Sequence, residues 1–383
     1  MNDDDTRNDG LPGRIALLIA HCAGMVDLVA LPVWIGTLIT RYGFDPQHAG
    51  ALVTLFLLGA VCSSLYWAPR FHRVATARVA TWGFGVAAAA FGVLSYVSDF
   101  HQMAALHVVA GAATGAALSV THGTIGRSSR PHRLFALAGL ALAVFGIEFL
   151  GLTPGLVAAI GGPALFKVFT AVMIAAALTC ACAFPQQADN PASGHGPGPR
   201  LSAAVWFVAL GVSCMGLVQA MMFSFVERIG ADRGFTAAAI TGVLVTLGFV
   251  NLVPAPLAGW LERLLPARQV VLLGPVVQAA VVLTICYSSG FAPYAAATAV
   301  LPAVMIFFHT FAFGLLAQLD PAGRALSATP AMLMAGAAIG PILGGTLVQY
   351  SGYASLGSAA ALIAIVGVFC FAQANRVSAP ALS

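Results

Sequence analysis

Twelve apolar runs, each long enough to cross a lipid bilayer as a helix, recur along the 383 residues of this chain. A helix needs about 20 mostly apolar residues to span the hydrocarbon core. Within that core each backbone N–H and C=O must be satisfied by its own segment or by a closed barrel. Runs of this length, without strict polar alternation, select helices. From hydropathy alone the spans fall at about 15–38, 48–67, 79–97, 103–125, 134–158, 164–184, 203–226, 237–261, 269–289, 294–318, 326–349 and 354–373. The expected fold class is an all-α polytopic membrane protein with 12 transmembrane helices. Composition excludes a soluble domain: 60% of residues are hydrophobic and 8% charged, with a mean hydropathy of +0.92.

The connectors are short except for Pro185 to Ser202, a Pro- and Gly-rich polar stretch that separates six spans from six. The expected division is an N-terminal tail at 1–13, a six-helix bundle at 14–184, a linker at 185–202, a second bundle at 203–374 and a tail at 375–383. Basic residues set orientation. With the N-terminus inside, 13 of the 17 Lys and Arg fall on the cytoplasmic side, so both termini are expected there. The acidic start (Asp3, Asp4, Asp5, Asp9) lacks the basic opening of a cleaved signal peptide. The first helix is therefore expected to stay in the membrane, and short loops favour a bacterial inner membrane.

The two halves repeat. Gly24-Met25-Val26-Asp27 matches Gly216-Leu217-Val218-Gln219, and Gly50-Ala51-Leu52-Val53-Thr54-Leu55 matches Gly242-Val243-Leu244-Val245-Thr246-Leu247, both at an offset of 192. Between them Arg41-Tyr42-Gly43-Phe44 resembles Arg233-Gly234-Phe235 with a one-residue slip. Parallel repeats of six helices point to a transporter whose site lies near mid-membrane.

The loop after the eighth span reads Gly259-Trp260-Leu261-Glu262-Arg263 and ends at Arg268. The loop after the second span, Trp67-Ala68-Pro69-Arg70-Phe71-His72-Arg73, keeps the basic character without the glycine and the acid. Pro321-Ala322-Gly323-Arg324 leads into the eleventh span, which carries Gly336-Ala337-Ala338-Ile339-Gly340-Pro341-Ile342-Leu343-Gly344-Gly345. With the helix count and the repeat, these motifs resemble the major facilitator superfamily over about residues 14 to 374. The resemblance implies two pseudo-symmetric six-helix bundles that rock about a central cavity. It implies that helices 1, 4, 7 and 10 line the cavity. It also implies conformational roles for Arg70, Arg73, Glu262, Arg263, Gly340 and Pro341. The fifth span holds its glycines and proline (Gly146, Gly151, Pro154, Gly155) out of register with the drug–proton antiporters of the family.

Of 13 acidic residues, only Asp27 and Glu148 lie inside a span by this reading; Glu227 and the rest fall in tails, loops or span ends. A carboxylate at the bilayer centre costs about 2.5–3.5 kcal/mol on insertion scales. Asp27 and Glu148 are therefore the candidates for proton coupling or cation binding, with structural hydrogen bonding as the alternative. Gln219, His309, Trp34, Met215 and Met222 are the candidate substrate contacts. Met215, Gln219 and Met222 share a helix face, which serves equally for an adaptable pocket or for packing. His21, His107 and His122 lie nearer the span ends and suit packing or gating. No Arg or Lys falls in a span core, which favours a neutral or cationic solute over an anion.

The seven cysteines all lie in apolar runs as small filler. No phosphate loop, metal-binding Cys or His pattern, or nucleophile elbow occurs, so no cofactor, metal or enzymatic activity is expected. The net charge of +4 is spread over short loops, which gives no nucleic-acid signature. The expected protein is a monomeric secondary transporter in the lipid bilayer, moving a small organic solute by alternating access with protons. An uncoupled uniporter and a non-transporting solute sensor are its rivals.

Overall fold

The computed structural model describes residues 10–185, 201–320 and 329–377. Twelve helices in it are long and apolar enough to cross a membrane. They are α1 Leu11–Tyr42, α2 Pro46–Phe71, α3 Thr76–Leu94, α4 Phe100–Gly126, α5 Arg133–Ile160 and α6 Pro163–Ala183, then α7 Ala203–Asp232, α8 Ala237–Leu261, α9 Ala267–Tyr287, α10 Phe291–Leu319, α11 Met332–Ser351 and α12 Ala354–Val377. No strand occurs among the described residues. The linker at 186–200, Pro321-Ala322-Gly323-Arg324 and both tails beyond residues 10 and 377 lie outside the described residues.

The repeat in the sequence is a repeat of hydrogen bonds. α1 stops at Gly43 and α7 at Gly234, each at positive φ, 72° and 81°, a left-handed turn that glycine enters without steric cost. Phe44 N–H donates to the Leu38 carbonyl and Phe235 N–H to the Gly230 carbonyl. The first loop is one residue wider, which is the slip seen in the sequence. The next helix is then capped the same way twice. Asp45 Oδ1 accepts from His48 N–H at 2.8 Å, and Thr236 Oγ1 accepts from Ala239 N–H at 3.2 Å. Such caps satisfy backbone donors that the helix cannot use itself.

The helices group into two compact units. One comprises Met1–Ala30, Thr40–Gly43 and Leu52–Pro197. In it α3 packs on α4 and α6, and α1 packs on α4, α5 and α6. Its core is aromatic: Phe91 stacks within 6.4 Å of Phe166 and 4.9 Å of Phe169, and Phe149 lies parallel to Phe169 at 5.8 Å. Small residues on α4 let backbones close up, as in many membrane bundles. A Cβ on Gly111 would fall 1.9 Å from the Phe56 carbonyl oxygen, and one on Gly115 would fall 2.3 Å from that of Ala60.

The other unit comprises Leu31–Ile39, Phe44–Ala51 and Gly198–Ser383. In it α9 packs on α10 and α12, and α7 packs on α10, α11 and α12. These pairings are the counterparts, six helices on, of those in the first unit. The Gly336, Gly340, Gly344 series on α11 meets α7 directly. A Cβ on Gly336 would lie 1.8 Å from the Ser213 carbonyl oxygen, and one on Gly340 would lie 2.7 Å from Met221 N. Ser213 Oγ donates to the Met332 carbonyl at 2.7 Å across the same seam.

This unit also takes in the second half of α1 and the start of α2. There Gly50 approaches the Pro341 carbonyl of α11, and Tyr350 Oη donates to Gln47 Oε1 at 3.4 Å.

Candidate functional site

α1 is broken once. Its helical hydrogen bonds stop at Gly24 and resume at Val26, with Met25 at φ −107° and ψ 19° between them. Asp27 stands in the first turn after the break. It is the seventeenth of the 32 residues of α1, so the break and the acid share mid-helix. Asp27 is 3% exposed. Among the described residues no basic side chain forms an ion pair with it. A mid-membrane carboxylate without a basic partner can bind a cationic group or exchange a proton.

Glu148 is set apart from it. Gly146 of α5 faces Val29 of α1, with 3.6 Å between Val29 and the position of a Cβ. Two residues further on turns about 200° around a helix, so Glu148 lies on the face away from α1. It is exposed, in a row with Leu140, Val144, Leu152 and Leu156.

α7 breaks too, at Ser224–Phe225. At the repeat offset Ser224 stands where α1 has Pro32. Gln219, the counterpart of Asp27, has an Oε1 shielded from solvent and without a hydrogen-bond partner among the described residues. Met215 and Met222 are 2% and 0% exposed. The Met215 carbonyl accepts from Gln278 Nε2 at 3.1 Å, and Met222 Sδ receives the Cys286 thiol at 3.9 Å. Both methionines are thus engaged with α9 inside their bundle. Trp34 is fully buried. His309 Nδ1 donates to the Met305 carbonyl at 2.7 Å, and its ring lies 4.9 Å from Phe313. That bond places a proton on Nδ1, so in the neutral ring Nε2 is the acceptor.

Of the conformational candidates, Arg70 donates to the Tyr66 carbonyl at 2.7 Å and lies over the Tyr66 ring at 3.9 Å. Arg73 and Arg263 are exposed. Glu262 is exposed beside Gly314. Among the described residues none of the four enters an ion pair. Gly340 packs on α7, and the Pro341 carbonyl meets Gly50.

Two features were not visible from the sequence. Glu227, read there as a span-end residue, is carried inside because α7 continues to Asp232 beyond its break. Its Oε2 is shielded and without a hydrogen bond among the described residues, and its carboxylate lies 3.1 Å from where a Cβ on Gly36 would sit. Tyr294 Oη donates to the Val226 carbonyl at 2.7 Å beside it, and Arg233 Nη2 donates to the Cys286 carbonyl at 2.7 Å. The only available signal was an acid eight residues past Gln219, within reach of a longer helix. The second feature is the pairing of His21 with His122, Nδ1 to Nε2 at 3.0 Å, which joins α1 to α4.

Two six-helix repeats with matching internal packing, and a polar residue at matching places in the first helix of each, buried in α1 and half-buried in α7, define a multi-pass membrane transporter. The sequence pattern of the Major Facilitator Superfamily matches residues 16–322, and the chain belongs to that family. Among solved structures the chain is similar to a bacterial homologue of the human lysosomal transporter Spinster, in an inward-facing and unoccupied conformation. The TM-score is 0.72 at 12% identity, with 100% of both chains covered. It is also similar to a variant of the nucleoside transporter NupG, with a TM-score of 0.70 at 11% identity, covering 96% of this chain and 100% of that one. At these identities the likeness is one of fold. No curated protein sequence matches the chain.

Proposed function

We propose that the protein is a proton-coupled secondary transporter of a small neutral or cationic organic solute. It works as a monomer by alternating access in the inner (cytoplasmic) membrane, with both termini in the cytoplasm. The observation that carries this reading is Asp27: a buried carboxylate at the mid-membrane break of α1, without a basic partner among the described residues. An acid whose charge is permanently paired would have a fixed cation beside it. Asp27 has no such cation among the described residues, so its charge is free to be balanced by a proton or by a cationic solute in turn. Gln219, at the equivalent place in α7, supplies an unused acceptor for a solute hydrogen bond. Trp34, His309, Met215 and Met222 complete the candidate solute contacts on α1, α10 and α7. Glu148 is the second candidate proton site. The contacts of the second half of α1 and the start of α2 with the C-terminal helices form a closed gate at one membrane face. The arginine bias assigns the opposite face to the cytoplasm.

The test is flux in liposomes loaded with a pH-sensitive dye. Neutral and cationic solutes are screened for proton movement on addition, with Asp27→Asn and Glu148→Gln alongside. A solute that moves protons with the wild type, and moves none with Asp27→Asn, is the expected result. Proton movement by Asp27→Asn equal to the wild type would remove Asp27 from the coupling role. Solute flux indifferent to the pH gradient in every case would make the protein a uniporter.

A further inference from the structure

Glu227 stands where α7 meets the second half of α1, and the transport reading gives it no task. A Cβ on Gly36 would meet Glu227 Cδ, Oε1 and Oε2 each at 3.1 Å. The carboxyl group therefore lies face-on against α1, at a glycine that leaves room for it. The residue is half-buried as a whole, but Oε2 is shielded and has no hydrogen bond among the described residues. The charged and titratable groups around it are engaged elsewhere. On α7 itself Arg228 pairs with Asp232 at 2.6 Å, and Asp232 also accepts from Tyr353 in the turn between α11 and α12. Arg233 Nη2 donates to the Cys286 carbonyl of α9, and its guanidinium stands 6.0 Å from the Tyr294 ring of α10. Tyr294 Oη donates to the Val226 carbonyl, and α8 meets this stretch with Ile240 at Gly230. Among the described residues Glu227 enters no ion pair.

An ionised carboxylate whose oxygen has lost water and found no donor is costly, and a protonated one avoids most of that cost. The closed contact of α1 with α7 therefore selects the neutral acid. When the two helices part, the same carboxyl meets water, where a glutamic acid is ionised near neutral pH. We propose that Glu227 is a proton-binding site of the gate, separate from Asp27 and Glu148. It takes one proton from the solution opposite the cytoplasm as α1 closes on α7, holds it against Gly36, and returns it to the same side as the helices part. The inference rests on the gate reading given above. No proton crosses the membrane by this route. Acid on that side holds the gate shut, and alkali releases it. One proton bound only in the closed state changes the closed-to-open ratio by up to about tenfold per pH unit.

Two measurements on the full chain in nanodiscs, both without solute, test it. Infrared spectroscopy reads the C=O stretch of protonated carboxyls. At pH 6 the wild type should show a band that is lost in Glu227→Gln and kept in Asp27→Asn and Glu148→Gln. Hydrogen exchange read by mass spectrometry, corrected for the intrinsic effect of pH, follows peptides covering Leu31–Ile39 and Val226–Asp232. From pH 6 to pH 8 their exchange should speed up in the wild type, by up to about tenfold per pH unit. It should speed up equally in Asp27→Asn, and stay at the pH 6 rate in Glu227→Gln. A band that Glu227→Gln leaves unchanged would overturn the proposal. The carboxylate would then be ionised in the closed contact, balanced from a distance by Arg233, whose Nη1 is shielded and without a partner among the described residues. A pH response lost in Asp27→Asn and kept in Glu227→Gln would also overturn it, and would assign the gate proton to Asp27. Gly50→Ala separates the gate from its proton, since its methyl wedges the contact of α2 with α11 on the same face whatever the charge of Glu227. Faster exchange in Gly50→Ala without any pH response would reject the proton site and keep the gate. No change from either would reject both.

Discussion

Gly50 offers a direct way to weigh the proposed gate. It lies near the start of α2, where a Cβ would fall 2.2 Å from the Pro341 carbonyl oxygen and 2.7 Å from its carbon. Ordinary contact begins at 3.4 Å, so an alanine methyl would sit about 1.2 Å too deep. The obstacle is backbone, which cannot rotate away as a side chain would. Overpacking of this kind costs about 1–3 kcal/mol. In an alternating-access cycle the cost falls only on the state in which α2 touches α11. Gly50→Ala should therefore move the balance between touching and parted states by about 5- to 150-fold. The assay is double electron–electron resonance in nanodiscs, with spin labels at His48→Cys and Tyr350→Cys, both exposed positions near the contact. The expected outcome is a new long-distance population in Gly50→Ala. Gly85→Ala, where nothing lies within 4 Å of the new methyl, should leave the distribution unchanged. A distance distribution identical to the wild type, with lowered thermal stability, would mean that the contact is permanent. The reasoning that makes it a gate would then be wrong.

Gly336→Ala should cost stability rather than shift a balance, because the α11–α7 seam lies inside one bundle. Its methyl would be about 1.6 Å too close to the Ser213 carbonyl, so a loss of about 1–3 kcal/mol should appear as a lower melting temperature in detergent, while Gly242→Ala stays near wild type. The two helix caps should separate by pH. Partial burial opposes the charge of Asp45, but the His48 N–H and ring hold its carboxyl below the ordinary aspartate value of 3.8. A depressed carboxyl stabilises the fold above that value and loses its contribution as pH falls through the folded one. Asp45→Ala should cost about 1 kcal/mol near neutral pH, with the penalty fading in acid, whereas Thr236→Ala should cost a similar amount at every pH. Melting curves of the three proteins between pH 3 and 7 would check this.

The twelve helices were legible because hydropathy over a 20-residue window is a strong signal and the bilayer forbids most alternatives. The repeat was legible at Gly43 and Gly234 because a left-handed turn restricts residue choice. Asp27 stood out because a lone charge in an apolar run has few innocent explanations. Glu227 was missed for the complementary reason: hydropathy fades near a helix end, and the two further turns from Val226 to Asp232 pack beside Tyr294 and Gly36, which only tertiary structure brings there. The His21–His122 pair could not be read, since 101 residues separate two rings that only tertiary structure brings together. The direction of Met215 and Met222 depends on which side of α7 meets α9, and helical spacing alone does not supply it.

The break at Met25 also divides the electrical character of α1. An unbroken helix would carry its partial charges at its two ends, near the head groups. Here an amino end and a carboxyl end meet in mid-membrane beside the Asp27 carboxylate, and their opposite partial charges of roughly half an elementary charge largely offset each other. On the coupling proposed above, proton uptake then leaves that spot close to neutral, and proton loss leaves it net negative. A cationic solute is drawn in while the acid is ionised and expelled once the proton arrives. The two cargoes exclude each other there, which is the electrostatic condition for exchange and not for co-transport. Solute-driven alkalinisation on the side that the cation leaves would contradict it.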